Sequence, residues 1–128
     1  MTLVVDASAV AAVLFSEANG DTIRAHVRGE SLLAPQLIDY ELANICWKRI
    51  RREPMAGPGL LTMLSGVTAL GIRRVEVPAI EVATLAVQTG LTAYDASYLW
   101  LALSRDVELV TLDNQLARVN QAMRERSV

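Results

Sequence analysis

The sequence predicts an α/β domain in which a mostly parallel sheet carries helices on both faces. Three observations point there. Short apolar runs alternate with helical patterns, the connections between them are short, and 128 residues suit one compact domain, 1–128, with little room for a second. No repeat, linker or low-complexity tract interrupts the alternation.

The elements follow in order. "TLVVD" (2–6) is a strand ending in an acid, and "ASAVAAVLF", rich in helix-forming alanine, leaves it directly as a helix. Residues 18–28 form a second helix closed by Gly29, and "SLLAP" (31–35) is a second strand stopped by Pro35. A long helix then runs from Gln36 to about Arg52; Pro35 and Asp39 mark its start, so Glu41 falls inside it, about one turn in. "EPMAGPG" (53–59) is a turn-rich break, and residues 60–70 resume a helical pattern ended by Gly71. "RRVEV" (73–77) is a third strand with Pro78 at its end, and residues 79–89 form a helix stopped by Gly90. In "LTAYDASYLWLALSRD" (91–106), Thr92 and Asp95 have capping-box spacing, and Ala96, Leu99, Trp100 and Leu103 make the apolar stripe. "VELVTLD" (107–113) is the fourth strand, and "NQLARVNQAMRER" is a final helix or a frayed tail.

Composition excludes several classes. With 52% hydrophobic and 20% charged residues the chain is globular rather than disordered. Its longest clear apolar run, 9–15, falls far short of the roughly 18 residues a membrane span requires. "MTLVVDAS" lacks a basic leader and sets Asp6 inside what would be the apolar stretch of a signal peptide, so a cytoplasmic protein is expected. Cys46 is the sole cysteine and reads as core filler, which leaves neither an intrachain disulfide nor a cysteine-based metal cage. His26 is the sole histidine and reads as a surface or partly buried side chain, so zinc-hydrolase and Ser–His triad chemistry lack their parts.

The net charge of −2 hides an uneven distribution. All basic residues but Lys48 are Arg, and they cluster as Lys48, Arg49, Arg51, Arg52 and again as Arg73, Arg74. Arginine's fork matches phosphate oxygens in pairs, so these clusters can hold a polyanion despite the mild overall charge. On the long helix, Glu41, Asn44, Lys48 and Arg51 or Arg52 share one face, acid at one end and bases at the other. A solvated stripe would explain that face alone; Glu41 gains meaning from the other acids.

In open parallel sheets the functional crevice lies beyond the carboxyl ends of the strands. Asp6 ends strand one and Asp113 ends strand four, with Thr111 two residues earlier pointing to the same side. Asp95 occupies the first turn of its helix, and Glu41 sits on the helix that follows strand two. Singly, Asp6, Asp95 and Asp113 read as helix caps or as first-turn acids that complement a helix dipole. Together, four acids facing one sheet edge repel, and an oxygen-only donor set suits Mg²⁺ or Mn²⁺.

"VVDASAV", "YELANICWK", "LTAYDASYLWLA" and "ELVTLDNQLA", in that order, resemble the PIN-domain ribonucleases, and most closely the VapC-type toxins of toxin–antitoxin pairs. The resemblance spans essentially the whole chain. It implies a three-layer α/β/α sandwich around a central, mostly parallel sheet of four or five short strands. It further implies that Asp6, Glu41, Asp95 and Asp113 are the acidic quartet that binds Mg²⁺ or Mn²⁺ and carries catalysis. Ser8 and Thr111 match small hydroxyl positions beside that quartet, and Asn44 accompanies them on the Glu41 helix. Relatives often carry another acid after the last Asp, whereas Asn114 and Gln115 follow here.

The activity so implied is hydrolysis of RNA phosphodiester bonds, leaving a 5′-phosphate and a 3′-hydroxyl. Lys48, Arg49, Arg51, Arg52, Arg73 and Arg74 are the candidate RNA contacts, Arg49 serving either RNA or an interface. Trp47 and Trp100 read as core, with base stacking the alternative. The implied partners are a second copy of the chain and a cognate antitoxin, with DNA reached only through the antitoxin. Val10, Val13 and Leu14 are either apolar surface for that partner or core. Two rival readings remain: a metal-dependent phosphatase, for which Ser8 stands where a second Asp is wanted, and a non-catalytic RNA-binding or scaffold module, which has no need of Glu41.

Overall fold

Leu3, Val4 and Val5 of the first strand are all buried. Successive side chains of a strand point to opposite faces, so both faces of this strand are covered, as the predicted layering requires. In the computed structural model, which describes residues 1–126, that strand is β1 (Thr2–Val5). It is followed by α1 (Ala7–Leu14), α2 (Gly20–Val27), β2 (Ser31–Pro35), α3 (Ile38–Arg52), α4 (Gly57–Ser65) and β3 (Arg73–Val75). The chain continues through α5 (Ala79–Thr89), α6 (Ala93–Arg105), β4 (Glu108–Val110) and α7 (Asn114–Arg126). Two short 3₁₀ turns, Pro54–Ala56 and Gly66–Leu70, flank α4.

All strand pairs are parallel and their order is β3-β2-β1-β4. From β1 the chain builds outward through β2 and β3, then returns to place β4 on the other side of β1. The gap between the carboxyl ends of β1 and β4 is therefore the switch point, where such sheets open a crevice. Asp6 leaves β1 on one side of it and Thr111 leaves β4 on the other. The α/β sandwich expected from the sequence is what the chain forms.

Several boundaries differ from the expectation, each for a local reason. The long helix starts at Ile38 rather than Gln36, because Pro35 still pairs with Val75 and the Gln36 N–H donates to Val75 O at 3.3 Å. Glu41 therefore stands in the first turn of α3, and Asp39 caps nothing: it pairs with Arg74 instead. The 53–59 break is a 3₁₀ turn running into α4, with Pro58 in the first turn where its missing N–H costs little. Strand four ends at Val110, three residues early, and residues 114–126 are a full helix whose Leu116 is completely buried. Val10 and Val13 are core, while Leu14 is partly buried against it. Trp47, expected in the core, is 51% exposed. The apolar stripe of α3 is completed without it by Ile38, Leu42 and Cys46 at four-residue spacing. Trp100 is partly buried against the core, and His26 is an exposed partner of Glu108 at 2.6 Å.

Close approach governs the α1–α2 corner. A Cβ on Gly20 would stand 2.3 Å from the Ala12 carbonyl oxygen, a backbone atom that cannot step aside. Gly59, inside α4, has nothing within 4 Å of its Cβ position. Gly20→Ala is expected to lower the unfolding free energy by about 1–3 kcal/mol. Gly59→Ala, which reduces backbone freedom in a helix, should raise it by about 0.4–1 kcal/mol. Urea denaturation of the two variants checks both signs.

Candidate metal-binding active site

Asp6 turns from strand to helix and is tied on both sides. Its extended backbone keeps the sheet's ladder for one more residue, the N–H donating to Val110 O at 3.2 Å, before α1 begins. Its side chain then caps α1: Oδ1 accepts from the Ala9 N–H at 3.0 Å and from Ser8 Oγ at 2.7 Å. Thr111 Oγ1, arriving from β4, donates to Oδ2 at 2.5 Å. Ser8 Oγ also accepts the Leu112 N–H at 2.9 Å, and Thr111 Oγ1 accepts the Asp113 N–H at 3.0 Å. Two hydroxyls thus lace the end of β1 to the end of β4, and Asp6 caps α1 while its carboxylate stands at the crevice.

Asp113 caps α7, its Oδ1 accepting the Leu116 N–H at 3.0 Å. Asp95 lies in the first turn of α6, positioned by Thr92, whose Oγ1 accepts the Asp95 N–H at 3.1 Å. Glu41 Oε1 accepts the Tyr98 hydroxyl at 2.5 Å, across from α6 to α3. Tyr98 was not foreseen. Its signal was available, since it stands three residues after Asp95 on the same helical face. It is itself buried, so the phenol orients the acid from the core side.

Asp6, Glu41, Asp95 and Asp113 line one cavity of about 300 Å³, together with Ala7, Ser8, Asn44, Ile45, Lys48 and Tyr98. Burial pushes the carboxyls of Asp6, Glu41 and Asp95 above their ordinary range. For Asp6, the hydrogen bonds from Thr111, the Ala9 N–H and Ser8 oppose that rise, and repulsion from Asp113 adds to it. The Tyr98 hydroxyl opposes it for Glu41, where Asp95 and Asp6 add repulsion; Asp113 and Asp6 do the same to Asp95. Burial, then the hydrogen bond to Glu41 and the acids around it, also hold the Tyr98 phenol in its protonated, donating form. Among the described residues no three His, Cys, Asp or Glu side chains form a ready-made set of direct metal ligands. The donor set is oxygen-only and short of positive charge, which fits a hard divalent ion that keeps several of its waters.

The basic residues divide. Lys48 lines the acidic cavity, and with Arg51 and Arg52 it also lines an adjoining surface pocket of about 420 Å³. The face of α3 predicted from Glu41, Asn44, Lys48, Arg51 and Arg52 therefore lines both pockets, acidic and basic, with Lys48 shared between them. Arg49 points elsewhere, its guanidinium 5.4 Å from the centre of the Phe15 ring. Arg74 is held in a two-pronged pair with Asp39, at 2.7 and 3.2 Å. Arg73 is exposed on β3, one of the two edge strands of the sheet.

A parallel sheet with order 3-2-1-4, a carboxylate at the end of its first strand and three more acids gathered over the switch point define the class. The chain belongs to the PIN domain family, whose model matches residues 3–122. Within it the relatives are of VapC type. Ribonuclease VapC3 of Pyrobaculum aerophilum is 37% identical over 122 residues, covering 91% of this chain and 93% of that one. Ribonuclease VapC9 of Mycobacterium tuberculosis is 31% identical, covering 94% and 92%. The crystal structure of PAE2754 from Pyrobaculum aerophilum superposes with a TM-score of 0.77 at 34% identity, over 93% of this chain and 84% of that one.

Raised carboxyl pKa values carry a sign. An acid whose folded-state pKa lies above its unfolded value favours folding most at low pH, and that contribution is lost as pH rises through the folded value. In chelator, Asp95→Asn should therefore melt higher than the wild type at pH 7, and the gap should close as pH falls into the ordinary carboxylate range. Added Mg²⁺ or Mn²⁺ should raise the wild-type melting temperature at pH 7 and raise that of Asp95→Asn less. Calorimetry with and without chelator across pH 4–7 reads all three.

Proposed function

We propose that this protein is a metal-dependent endoribonuclease acting as the toxin of a toxin–antitoxin pair. One observation carries the reading: four carboxylates, from the ends of β1 and β4 and the first turns of α3 and α6, line a single cavity whose wall continues into Lys48, Arg51 and Arg52. A phosphodiester needs positive charge at the first and finds it at the second. Asp6, Glu41, Asp95 and Asp113 would hold Mg²⁺ or Mn²⁺, which would supply the Lewis-acid charge that activates water and offsets charge building on the phosphate.

The chain's own residues do the rest. Asp6 is fixed from both sides of the crevice by Ser8 and Thr111, so its oxygens keep their place when charge arrives. Tyr98 holds Glu41 Oε1 and leaves Oε2 for the cavity. Asp113 spends Oδ1 on capping α7 and has Oδ2 for the site. Asn44, between Glu41 and Lys48 in the groove, offers an amide to the substrate backbone. Lys48, Arg51 and Arg52 take the phosphates that flank the scissile one, so binding weakens as salt rises. Water, and not the RNA 2′-hydroxyl, is the nucleophile; it bonds to phosphorus as the bond to the 3′-oxygen breaks, leaving a 5′-phosphate and a 3′-hydroxyl. The toxin role carries with it a cognate antitoxin that covers the acidic cavity, a homodimer, a cytoplasmic setting, and contact with DNA only through the antitoxin.

A circular single-stranded RNA tests the chemistry. With Mg²⁺ or Mn²⁺ the wild type should open the circle, and chelator should stop it. Asp6→Asn should bind the RNA and cut it at least about 100-fold more slowly. A circle left whole while linear RNA shortens from one end would make the enzyme an exonuclease. Phosphate released from a small phosphomonoester with RNA intact would make it a phosphatase, and binding without cutting under any metal a scaffold. Thr111→Val and Tyr98→Phe, which remove one supporting hydroxyl each, should slow cleavage by about 10- to 100-fold with the fold retained by circular dichroism. Induced expression should arrest growth, and Asp6→Asn should not.

A further inference from the structure

The exposed face of α3 carries more than charge. Sharing Asn44 and Arg51 with the groove face, a second stripe of Tyr40, Asn44, Trp47 and Arg51 runs along its side at helical spacings of four, three and four. Tyr40 is 79% exposed and Trp47 51%. A single aromatic on a surface needs no explanation, but two on one stripe, flanked by cations and continuous with a catalytic groove, do. The guanidinium carbon of Arg51 lies 4.8 Å from the centre of the Trp47 ring, and Arg51 also lines the pocket shared with Lys48 and Arg52. Six residues separate Trp47 from Glu41, about 9 Å along the helix axis. A group seated on Trp47 is thus a neighbour of whatever occupies the acidic cavity.

Flat aromatic surface beside cations that match phosphates is how proteins hold unpaired nucleotides: every base has a face to stack, and the backbone follows the positive charge. We propose that Trp47, with Arg51 laid over its ring, is a stacking platform for an unpaired base of the substrate RNA. It takes a nucleotide flanking the scissile phosphate while Lys48 and Arg52 hold the backbone on either side. Because the platform reads a face rather than an edge, it selects single-stranded RNA over duplex without demanding one base. Tyr40 lies seven residues before Trp47, two turns along the same stripe, and extends the surface beyond the acidic end of the groove. This inference rests on the ribonuclease reading and adds to it a residue that seats a base.

Intrinsic fluorescence isolates the platform. In an Asp6→Asn, Trp100→Phe background Trp47 is the sole tryptophan, and oligouridylate in Mg²⁺ should quench it, whereas an abasic oligomer of the same length and charge should leave it unchanged. Quenching by both alike would mean that only phosphates bind, and the proposal fails. With active protein, Trp47→Ala should lower kcat/KM on single-stranded RNA by roughly 5- to 150-fold, chiefly through KM, with Trp47→Phe within about threefold of the wild type. Trp47 is exposed, so folding is not at stake, and melting curves of the variants should coincide. If Trp47→Ala cuts RNA like the wild type but changes self-association in sedimentation, the face belongs to a second copy of the chain and the proposal is overturned. If the wild type itself neither binds nor cuts RNA, the ribonuclease reading has failed first.

Discussion

The hydrogen bond from Thr111 to Asp6 is the interaction on which the rest depends. It joins the ends of two neighbouring parallel strands at the place where the sheet's order reverses, and it does so with a carboxylate that also begins a helix. A strand end has backbone to spare and a helix start has N–H groups to satisfy, so an acid is welcome there on structural grounds alone. The same acid is then unavoidably at the mouth of the crevice. Glu41, Asp95 and Asp113 reach that mouth from α3, α6 and the α7 cap, and what would be three ordinary surface acids elsewhere become a concentration of charge that burial makes costly.

That cost is the link between fold and chemistry. Short of taking up a proton, a buried carboxylate is relieved by solvation, hydrogen bonds or a cation. Ser8, Thr111, the Ala9 N–H and Tyr98 apply the second to Asp6 and Glu41, and the oxygens they leave over ask for the third. The basic half of α3 relieves them little: Lys48 lines the cavity but makes no ion pair with its acids among the described residues, and Arg51 and Arg52 lie about 15 Å and more from Glu41 along the axis. Acid and base are kept apart along one rigid rod, and a polyanion laid along it meets both.

The sheet and the four acids were legible because they follow from patterns of short range: apolar runs, the residues that end them, and the rule that crevices open beyond strand ends. Boundaries were less so. Thr111 to Asp113 continues an extended-looking pattern after the ladder to β1 has stopped, and no periodicity marks where pairing ceases; Asp113 consequently looked like a strand end when it is a helix cap. Trp47 was misplaced because an amphipathic template counts every aromatic as apolar, although Ile38, Leu42 and Cys46 had already filled the stripe. Arg49 and Arg74 sit in runs of positive charge, but their partners, the Phe15 ring and Asp39, lie far off in sequence and nothing local announces them. Tyr98 escaped for the opposite reason: a buried tyrosine looks like core, and it is core, except for one oxygen.

The four acids are unequally woven into the structure. Asp6 and Asp113 each hold a helix start, and Glu41 holds a buried phenol, whereas the Asp95 carboxylate caps no helix and bears the cost of burial first and of its neighbours' charge second. Loss of the first three unpicks architecture along with chemistry; loss of Asp95 relieves a strain and leaves the scaffold whole. Descendants released from selection for cutting would therefore shed Asp95 earliest, and a lineage that keeps it has inherited a reason to.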